Sequence, residues 1–496
     1  MSIFAKKINN AKMMKTRLFT VCYALLLSAA CALAEDYTRY YTDLPVDVKQ
    51  VTGPQIPDRS VCLTDFGAVG NGLTLCTDAF ARAIAALESQ GGGRLVVPEG
   101  VWLTGPIELK SNIDLHLEQN ALIYFSPDKR LYTGHLDSRG RCMPCISADG
   151  CHDIAITGKG TIDGNGGGWH YAKRSKMSDV EWNLLLQKGG YVTDDGLLWY
   201  AWQLTSGYPD IAETPQKQEK MRNDLVKLTS CRRVLLSGPT FQNSPRFHIH
   251  PFYCEDLIID GITVRCPWNV QNGDGIDLTD CHRVLLVNTT IDVGDDGICL
   301  KSDRPEAGRI SGNEDFLIQS CKVCHAHGGF VLGSNIAAGM RRIVCRHSTF
   351  TQTDTGLRFK SFIGRGGKTE QMFISDIMMS DIVHEAIVFH CDYADQAPGD
   401  TKKLFLDPAY VDSFSAEDKV WTPDFQDIHI DRIVCRGANT GIKASGLTGL
   451  NCVHDIYVRN SLFVYNSTAQ DIHEPTAKIK LTDVTFVPNS ISQSMR

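Results

Sequence analysis

A chain of 496 residues, 43% of them hydrophobic, is long enough to bury a large core without disulfide bonds or metals to hold it. Its 50 Lys and Arg against 57 Asp and Glu give a net charge of −7; five of the bases precede residue 35, where no acid occurs, so the remainder carries 45 − 57 = −12. This acidic balance argues against a nucleic-acid-binding protein. A local excess of bases in residues 301–370 indicates either an anionic ligand or a solvated face.

Residues 1–34 have the composition of a secretory signal peptide. Five bases precede an apolar run at Leu18–Ala30, and Ala32–Ala34 fits the small-x-small pattern of a signal-peptidase site. The run is shorter than the ~20 residues of a membrane span, and no later run replaces it. We therefore expect an exported protein, periplasmic or extracellular, with no membrane span. A lipoprotein anchored through Cys31 is the less favoured alternative.

After a lead-in over residues 35–59, the body of the chain begins near Ser60 with a predicted amphipathic helix, Thr77–Ser89. Apolar residues recur three and four positions apart on one face of it, and three glycines follow. From there to the C-terminus the predicted elements are short strands. They include Leu95–Val97, Val101–Thr104, Ile113–Leu117, Leu122–Tyr124, Ile154–Thr157, Val234–Ser237, Leu257–Ile259, Val284–Val287, Phe316–Ile318, Ile343–Cys345, Met372–Ile374, Ile428–Ile430 and Ile456–Val458.

The predicted strands recur at a regular interval. The interval from Leu257 to Val284 equals that from Phe316 to Ile343 (284 − 257 = 343 − 316). Such a period is typical of a solenoid, in which equivalent positions stack about 4.8 Å apart. We predict an all-β fold, a single right-handed parallel β-helix over residues 60–496, with the helix capping its N-terminal edge.

Sixteen of the eighteen cysteines follow the leader. Four of them, Cys151, Cys231, Cys254 and Cys281, each lie three residues before a predicted strand. Because they occupy the same point of the repeat, they indicate stacked, buried thiols rather than disulfide bonds. Cys142–Cys145 has no second Cys or His pair at zinc spacing, so no metal site is predicted.

Two stretches interrupt the period, residues 170–222 and 393–425. The first is rich in charge and aromatic residues. Its aromatic residues include Trp182, Tyr191, Trp199, Tyr200 and Trp202. Long irregular segments in a compact fold are usually functional or disordered. We interpret both stretches as walls of a binding cleft, the alternative being loops that only cover the side of the coil.

Three carboxylates stand out between Asn272 and Lys301. Asp274 and Asp295 lie 21 residues apart (295 − 274), which suggests one turn of a coil; each is beside glycine and is followed by an apolar run. This spacing predicts that the two residues stack in one site on adjacent turns of the coil. For Asp296 to join them, the backbone must turn or bulge there. The alternative is that these Asp-Gly pairs only form turns.

Four short motifs follow one another at solenoid spacing. They are Asn272-Gly273-Asp274, Asp295-Asp296, Ala326-His327-Gly328 and Arg358-Phe359-Lys360. Together with Asp65–Gly70 and Asn243–Pro245, they resemble glycoside hydrolase family 28, the polygalacturonases, and especially its bacterial exo-acting members. The resemblance covers nearly the whole chain after the leader. The departures from the family pattern, Gly273, Ala326 and Phe359, leave every charged side chain in place.

The chemistry can be argued from the residues alone. Cleaving a glycosidic bond with inversion needs an acid to protonate the leaving oxygen and a carboxylate to activate water, ~6.5–9.5 Å apart. Three carboxylates in one cleft repel one another, so the pKa of at least one should rise. The resemblance implies that Asp295 is the acid, that Asp274 and Asp296 hold the water, and that His327 shares the acid's hydrogen bonds. A purely structural role is the alternative for His327. The resemblance implies no cofactor and no metal.

Arg358 and Lys360 alternate on a predicted strand, so both can face one side and bind a carboxylate. The resemblance implies that this pair selects a uronic acid and that Asn272 and Tyr393 also bind substrate. It implies an inverting hydrolase of α-1,4-galacturonosidic bonds that acts, as a monomer, on pectic polysaccharide or oligogalacturonides. If the two irregular stretches close one end of the cleft, attack should be at the chain end.

Three other functions stay open. A rhamnogalacturonan hydrolase of the same family generally lacks the Arg and Lys pair. A β-helical pectate lyase would use the acidic residues to bind Ca²⁺ and would release an unsaturated product. A non-catalytic sugar-binding β-helix, such as an adhesin, would not require all three aspartates together with the histidine and the two bases.

Overall fold

The computed structural model of the protein describes residues 36–201, 214–393 and 407–489. The chain divides into two compact units, Met1–Leu44 and Pro45–Arg496. In the first unit the described residues form a 3₁₀ helix, Tyr37–Tyr41, which begins where the side chain of Asp36 accepts a hydrogen bond from the backbone of Thr38. The predicted signal peptide, residues 1–34, lies outside the described residues.

The second unit is a parallel β-helix, as predicted, with its strands wound around one hydrophobic core. Strands are numbered here in chain order. The first face of the coil contains β1 (Ser60–Cys62), β2 (Gly93–Val97), β5 (Ile113–Leu117), β8 (His152–Gly158), β14 (Arg232–Ser237), β17 (Glu255–Asp260), β20 (His282–Val287) and β23 (Asn313–Gln319). The second face contains β3 (Gly100–Thr104), β6 (Ala121–Phe125), β9 (Thr161–Asp163), β15 (Thr240–Gln242), β18 (Thr263–Arg265), β21 (Thr290–Asp292) and β24 (Lys322–Cys324).

The third face carries the four motifs. It contains β4 (Ile107–Glu108), β7 (Ile146–Asp149), β13 (Val226–Thr229), β16 (Ile249–Phe252), β19 (Ile276–Thr279), β22 (Ile298–Ser302), β25 (Gly328–Ile336) and β27 (Thr355–Lys360). Towards the C-terminus long strands bend around the corners and join the faces. These are β26 (Met340–Thr351), β28 (Lys368–His390), β30 (Ile428–Ser445), β31 (Val453–Ile472) and β32 (Ala477–Pro488), with the short β29 (Asp424–Phe425) between β28 and β31.

The strand register confirms the predicted period. Leu257 pairs with Val284 and Phe316 pairs with Ile343, so each strand meets the strand one repeat further on. Side chains at equivalent positions therefore stack along the core; the rings of Phe359 and Phe389, for example, lie 4.3 Å apart and nearly parallel. All sixteen cysteines from Cys62 to Cys452 are free thiols, and most of them are buried in this core.

The predicted helix is present with the predicted bounds, Thr77–Ser89, and is named α1. Its apolar face is buried and packs against β2, β4 and β5 at the N-terminal end of the coil. Gly92 ends the helix in a left-handed conformation (φ 112°), and its N–H donates to the carbonyl of Leu87 at 2.8 Å. The helix thus covers the first rung, as expected for a cap.

A column of alternating aspartates and arginines runs along the start of the first-face strands. Its members, Asp153, Arg233, Asp256, Arg283, Asp315 and Arg342, all have φ of 52° to 64°. Each arginine donates to the aspartate of the preceding rung. Arg283, for example, donates from Nε to Oδ1 of Asp256 at 2.8 Å and from Nη2 to Oδ2 at 3.0 Å. Bidentate pairs of this kind fix one rung against the next.

The lead-in after Leu44 lies along this column. Its backbone N–H groups donate to the same aspartates at every third residue. The three bonds are Lys49 N to Asp315 Oδ1 at 3.3 Å, Thr52 N to Asp256 Oδ1 at 3.1 Å, and Gln55 N to Asp153 Oδ1 at 2.8 Å. Three extended residues advance about 9.3 Å, which matches two strand spacings of about 4.8 Å. The lead-in therefore ties together rungs that are distant in sequence.

An arm, defined here as residues 166–201, leaves the coil between β9 and β13. It contains β10 (Tyr171–Lys173), β11 (Tyr191–Val192) and β12 (Leu198–Tyr200) in a small antiparallel sheet, and a helix α2 (Asp179–Gln187) with a capping box at Ser178. Trp182 and Trp199 are buried in the arm's own core. These two rings therefore stiffen the arm rather than stack on a sugar, whereas Trp202 lies outside the described residues.

The remaining described helices are short. They are α3 (Pro215–Lys220), α4 (Pro408–Asp412) and α5 (Ala416–Lys419), with 3₁₀ turns at Leu63–Phe66, Lys129–Tyr132, Gly166–Gly168 and Arg174–Lys176. Of the helices in the described ranges, none has the length and apolar character needed to cross a membrane. The described part of the second irregular stretch, from residue 407 to 425, holds α4 and α5.

Candidate active site

The three aspartates lie in the turns that lead into β19 and β22 on the third face. Ile276 pairs with Ile298, and the N–H of Gly275 donates to the carbonyl of Asp296 at 2.9 Å. The same offset (298 − 276 = 296 − 274) places Asp274 beside Asp296. The expectation that Asp274 stacks on Asp295 was wrong by one position, because sequence spacing alone does not fix the strand register.

Asp295 and Asp296 lie in a bend between β21 and β22, as the sequence required for both to serve one site. The flanking glycines are needed for space. A Cβ on Gly294 would lie 2.5 Å from the carbonyl oxygen of Trp268, and one on Gly297 would lie 2.4 Å from Cγ1 of Val323. The bend is thus packed closely against neighbouring rungs, which holds both carboxylates in place.

Asp295 is bound by hydrogen bonds on both carboxylate oxygens. Oδ2 accepts from the N–H of Asn272 at 2.9 Å, and Oδ1 accepts from the N–H of Asp296 at 3.0 Å. Nδ1 of His327 lies 2.9 Å from Oδ1. The structure thus brings His327 to Asp295, as predicted, and it also places the backbone of Asn272, a predicted substrate-binding residue, on the same carboxylate.

The pKa values of Asp295 and Asp274 are shifted in opposite directions. Burial by itself favours the neutral carboxyl of Asp295, but the hydrogen bond from His327 and the charges of Lys360 and Lys176 outweigh it and lower the pKa of Asp295. The rise in pKa that was expected of at least one carboxylate is therefore not found at Asp295. Burial and the nearby charges of Asp277 and Asp295 instead raise the pKa of Asp274 well above its usual range.

Asp296 is paired with the predicted carboxylate-binding bases. Nζ of Lys360 lies 2.7 Å from Oδ2, and Nη1 of Arg358 lies 3.4 Å from Oδ1. These two cations oppose the effect of burial and lower the pKa of Asp296. The ring of Tyr393 lies beside both, with its centroid 4.9 Å from Lys360 Nζ and 5.4 Å from Arg358 Cζ. The clamp, defined as Arg358, Lys360 and Tyr393, is therefore assembled as predicted.

A further cation, the partly buried Lys301, lies beside Asp274 and was not predicted. Its Nζ is 3.5 Å from Oδ2 of Asp274 and contacts Oδ1 of Asp277. Oδ1 of Asp274 is buried and has no hydrogen-bond partner among the described residues. Lys301 ends the Asn272–Lys301 stretch that the sequence analysis singled out, but alternation on a strand does not reveal which carboxylate it contacts.

The arm reaches the site through Lys176, and the segment after α3 reaches it through Arg222. Nη2 of Arg222 donates to Oδ1 of Asn272 at 2.9 Å, and its Nη1 donates to the carbonyl of Gln271 at 2.8 Å. Nζ of Lys176 lies 2.6 Å from Nε2 of His327. Neither base was predicted, because both lie in a stretch without periodicity, where the sequence shows no direction for a side chain.

Asp295, Asp296 and His327 offer ligand atoms within 4.8 Å of one another, a grouping that could hold a metal ion. However, Lys360 and Arg358 contact Asp296, and Lys176 contacts His327. A divalent cation bound there would face three protein cations at close range, which is electrostatically unfavourable. The donor set fits a proton-transfer site better than a metal centre.

The arrangement supplies the parts that acid and base hydrolysis needs. Asp295 is the most exposed of the three carboxylates, at 15% against 5% for Asp274 and 3% for Asp296. Asp296 is held ionised by the clamp and can accept a proton from water. A carboxylate on a ligand could reach the same clamp that now pairs with Asp296.

Comparisons with known proteins point in the same direction. A family model described as glycosyl hydrolases family 28 matches residues 188–405. A probable polygalacturonase of Vitis vinifera is 29% identical over 64% of this chain and 60% of its own length. An exo-poly-alpha-D-galacturonosidase of Dickeya chrysanthemi is 26% identical over 86% of this chain and 69% of its own length. This chain thus spans between 60% and 69% of the length of these two curated relatives.

Solved structures extend the comparison to the fold. The crystal structure of a hyperthermoactive exopolygalacturonase from Thermotoga maritima superposes with a TM-score of 0.70 at 28% identity. The superposition covers 88% of this chain and 94% of that chain. It therefore includes most of the coil.

Proposed function

We propose that this chain, which matches the model of glycosyl hydrolases family 28 over residues 188–405, cleaves α-1,4 bonds between galacturonic acid residues of pectin, with inversion at the anomeric carbon. The observation that carries this proposal is the clamp beside the three aspartates. Arg358 and Lys360 meet one carboxylate together, at 3.4 and 2.7 Å. A neutral sugar would gain nothing from the two cations, whereas a uronate would gain charge-assisted hydrogen bonds.

In the proposed reaction Asp295 protonates the leaving oxygen. The clamp cation Lys360 helps to keep Asp295 ionised in the free protein. A bound uronate would neutralise the clamp and exclude water, and both effects raise the proton affinity of Asp295. Asp296 and Asp274 hold the attacking water; Asp296 takes its proton, and the hydroxide bonds to the anomeric carbon as the bond to the leaving oxygen breaks.

The proposed mode of attack is exo, with release of galacturonic acid from oligogalacturonides. Its support is the arm, whose own aromatic core stiffens it and whose Lys176 contacts the catalytic rung. A wall at this position would close one end of the cleft to a continuous polymer. The Dickeya chrysanthemi and Thermotoga maritima relatives are both named for exo action.

The test compares pectin viscosity with the release of reducing ends. An exo enzyme should release reducing ends while the viscosity falls slowly. A steep early fall in viscosity at little bond cleavage would contradict exo action but leave hydrolysis intact. Chromatography should show galacturonic acid as the first product from homogalacturonan. If products form from rhamnogalacturonan and not from homogalacturonan, the chain would instead be a rhamnogalacturonan hydrolase.

The lyase alternative is disfavoured by the cations that already pair with the carboxylates. A calcium-dependent lyase should lose activity with a chelator and form an unsaturated product. The proposed hydrolase should retain its activity with a chelator and form a saturated one.

We also propose a cellular location and an oligomeric state. The leader over residues 1–34 supports export to the periplasm or the cell exterior, where pectic polymers and oligogalacturonides would be met. Each side chain of the proposed site belongs to one chain and to the β-helix over residues 60–496, which supports action as a monomer with one catalytic domain. Size-exclusion chromatography with light scattering would test the monomer.

A further inference from the structure

The arm places one ammonium group directly on the histidine of the site. Lys176 ends the 3₁₀ turn Arg174–Lys176, and its Nζ lies 2.6 Å from Nε2 of His327 and 3.4 Å from the carbonyl oxygen of Gly294. On the other side of the ring, Nδ1 lies 2.9 Å from Oδ1 of Asp295. Lys176, His327 and Asp295 thus form one continuous chain of contacts.

The chemistry of these groups fixes where the protons lie. An ammonium group has three donors and no acceptor, so at 2.6 Å the Nε2 of His327 must be the acceptor and carry no proton. The ring proton then sits on Nδ1, which donates to Asp295. An ionised Asp295 already favours a proton on Nδ1, and the lysine adds to this by keeping a second proton off Nε2.

Of the other charged groups around this chain, one opposes the assignment but lies beyond hydrogen-bonding distance. Asp354 faces the same ring nitrogen, with Oδ2 3.7 Å from Nε2 of His327. Burial lowers the pKa of Lys176, and the charges of Asp295 and Asp354 oppose that effect; Lys173 and Cys266 have smaller effects on this pKa. Lys360 and Arg358 face the aspartates from the clamp side.

We propose that Lys176 is a positioning residue for the proposed acid: it holds His327 as the tautomer whose Nδ1–H fixes the carboxylate of Asp295. The inference rests on the proposed function, because it concerns the same site. In this proposal the arm both forms a wall of the binding cleft and positions the acid. An arm that is displaced would leave the acid misaligned even if the clamp still bound substrate.

The test is a double-mutant cycle with Lys176→Met and His327→Gln. Lys176→Met keeps the length and loses the donor. A hydrogen bond to a charged group is worth a factor of about ten to a hundred, so kcat on oligogalacturonides should fall by that factor while KM changes little. In the His327→Gln background, Lys176→Met should have no further effect. Lys176→Arg keeps a donor and should retain more activity than Lys176→Met.

Lys188→Met provides the matched control, because Lys188 is an exposed lysine of the same arm. It should leave kcat unchanged. Effects of Lys176→Met that simply add to those of His327→Gln would overturn the inference. A rise in KM with unchanged kcat would also overturn it, since it would make Lys176 a ligand of the substrate.

A second readout does not depend on activity. With ¹⁵N-labelled histidine, the resonances of His327 are identified as those lost in His327→Gln. In the parent protein Nδ1 should be protonated and Nε2 unprotonated, and Lys176→Met should disturb that pattern. A protonated Nε2 in the parent, or an unchanged pattern in Lys176→Met, would contradict the inference. If the parent does not cleave galacturonan at all, the proposed function fails. The NMR pattern of His327 then still shows whether Lys176 sets the tautomer of that ring.

Discussion

His327 lies one turn of the coil above Asp295 and touches it twice. The N–H of His327 donates to the carbonyl of Asp295 at 2.9 Å, and Nδ1 lies 2.9 Å from Oδ1 of the same residue. Both contacts follow from the register, because Ile298 pairs with Phe330 and the same offset (330 − 298 = 327 − 295) separates Asp295 from His327. The coil thus delivers a histidine to an aspartate that is distant in sequence.

The first prediction concerns the proposed acid. Asp295→Asn keeps an acceptor for His327 but cannot donate a proton to the leaving oxygen. General acid catalysis is typically worth about 10² to 10⁴ in rate, so kcat should fall by that factor while the unfolding temperature stays near that of the parent. Asp292→Asn, three residues earlier and half-exposed, is the control. Activity near the parent level in Asp295→Asn would remove Asp295 from its role.

The second prediction concerns the clamp. Lys360→Met and Arg358→Gln each remove a charge-assisted bond to a uronate, worth about 1.5–3 kcal/mol, so binding of oligogalacturonides should weaken about ten- to a hundredfold. Isothermal titration with an inactive Asp295→Asn parent measures this. Lys368→Met, which removes an exposed lysine bonded to Glu370, should change nothing.

Unchanged affinity in both clamp variants would mean that the substrate is not a uronate. Because Lys360 is itself buried and paired with Asp296, thermal unfolding should be measured alongside binding. A variant that has lost its unfolding transition would be replaced by Arg358→Lys, which keeps the charge and loses the planar fork.

The third prediction concerns stability and pH. Burial and the charges of Asp277 and Asp295 raise the folded-state pKa of Asp274 above its unfolded value. Such a group contributes stability that is fully present below the unfolded pKa, about 3.9, and is lost as pH rises through the folded pKa. Asp274→Asn removes this titration. The variant should therefore gain unfolding temperature relative to the parent as pH rises from about 4 to about 8, although it loses activity.

The measurement is a series of thermal melts of Asp274→Asn and the parent over that range. Asp194→Asn, at an exposed aspartate of the arm, serves as the control and should show a difference that changes little with pH. A constant difference for Asp274→Asn, or one that grows as pH falls, would show that Asp274 is not held protonated in the fold.

The fourth prediction concerns the column of aspartates and arginines. Asp256→Ala removes the bidentate pair with Arg283 and the bond from Thr52, so stability should fall by about 1.5–3 kcal/mol. Asp455→Ala is the matched control, because Asp455 also has a positive φ (50°) but its side chain is 63% exposed and bonds its neighbour His454. Equal losses in the two variants would mean that the cost is backbone strain alone.

Much of the coil could be predicted from the sequence because its apolar runs recur at a regular interval. The helix Thr77–Ser89 follows from its helical periodicity, and the stacking of Leu257 on Val284 follows from the repeat interval of the apolar runs. The register was less accessible. The spacing in the sequence suggested Asp295 as the neighbour of Asp274, but turn lengths differ between rungs and the true neighbour is Asp296.

The site, too, could be predicted only in part from the sequence. Its motif residues, such as His327 and Lys360, come together as the sequence predicted. Lys176 and Arg222 were missed because they lie in an irregular stretch, and their contacts depend on how the arm folds back on the coil. The lowered pKa of Asp295 was missed because it depends on the hydrogen bond from His327 together with several cations, one of which is Lys176.

The proposal that this chain is an inverting hydrolase of galacturonan is tested most directly by time-resolved proton NMR of the first product from a galacturonan oligomer. The account predicts saturated galacturonic acid that appears first as the β anomer and then mutarotates, since water attacks the face opposite the leaving group. A first product of α configuration would contradict inversion. An unsaturated product would contradict the hydrolysis of uronates itself. The same conclusion would follow if the protein cleaved a neutral polymer but not galacturonan.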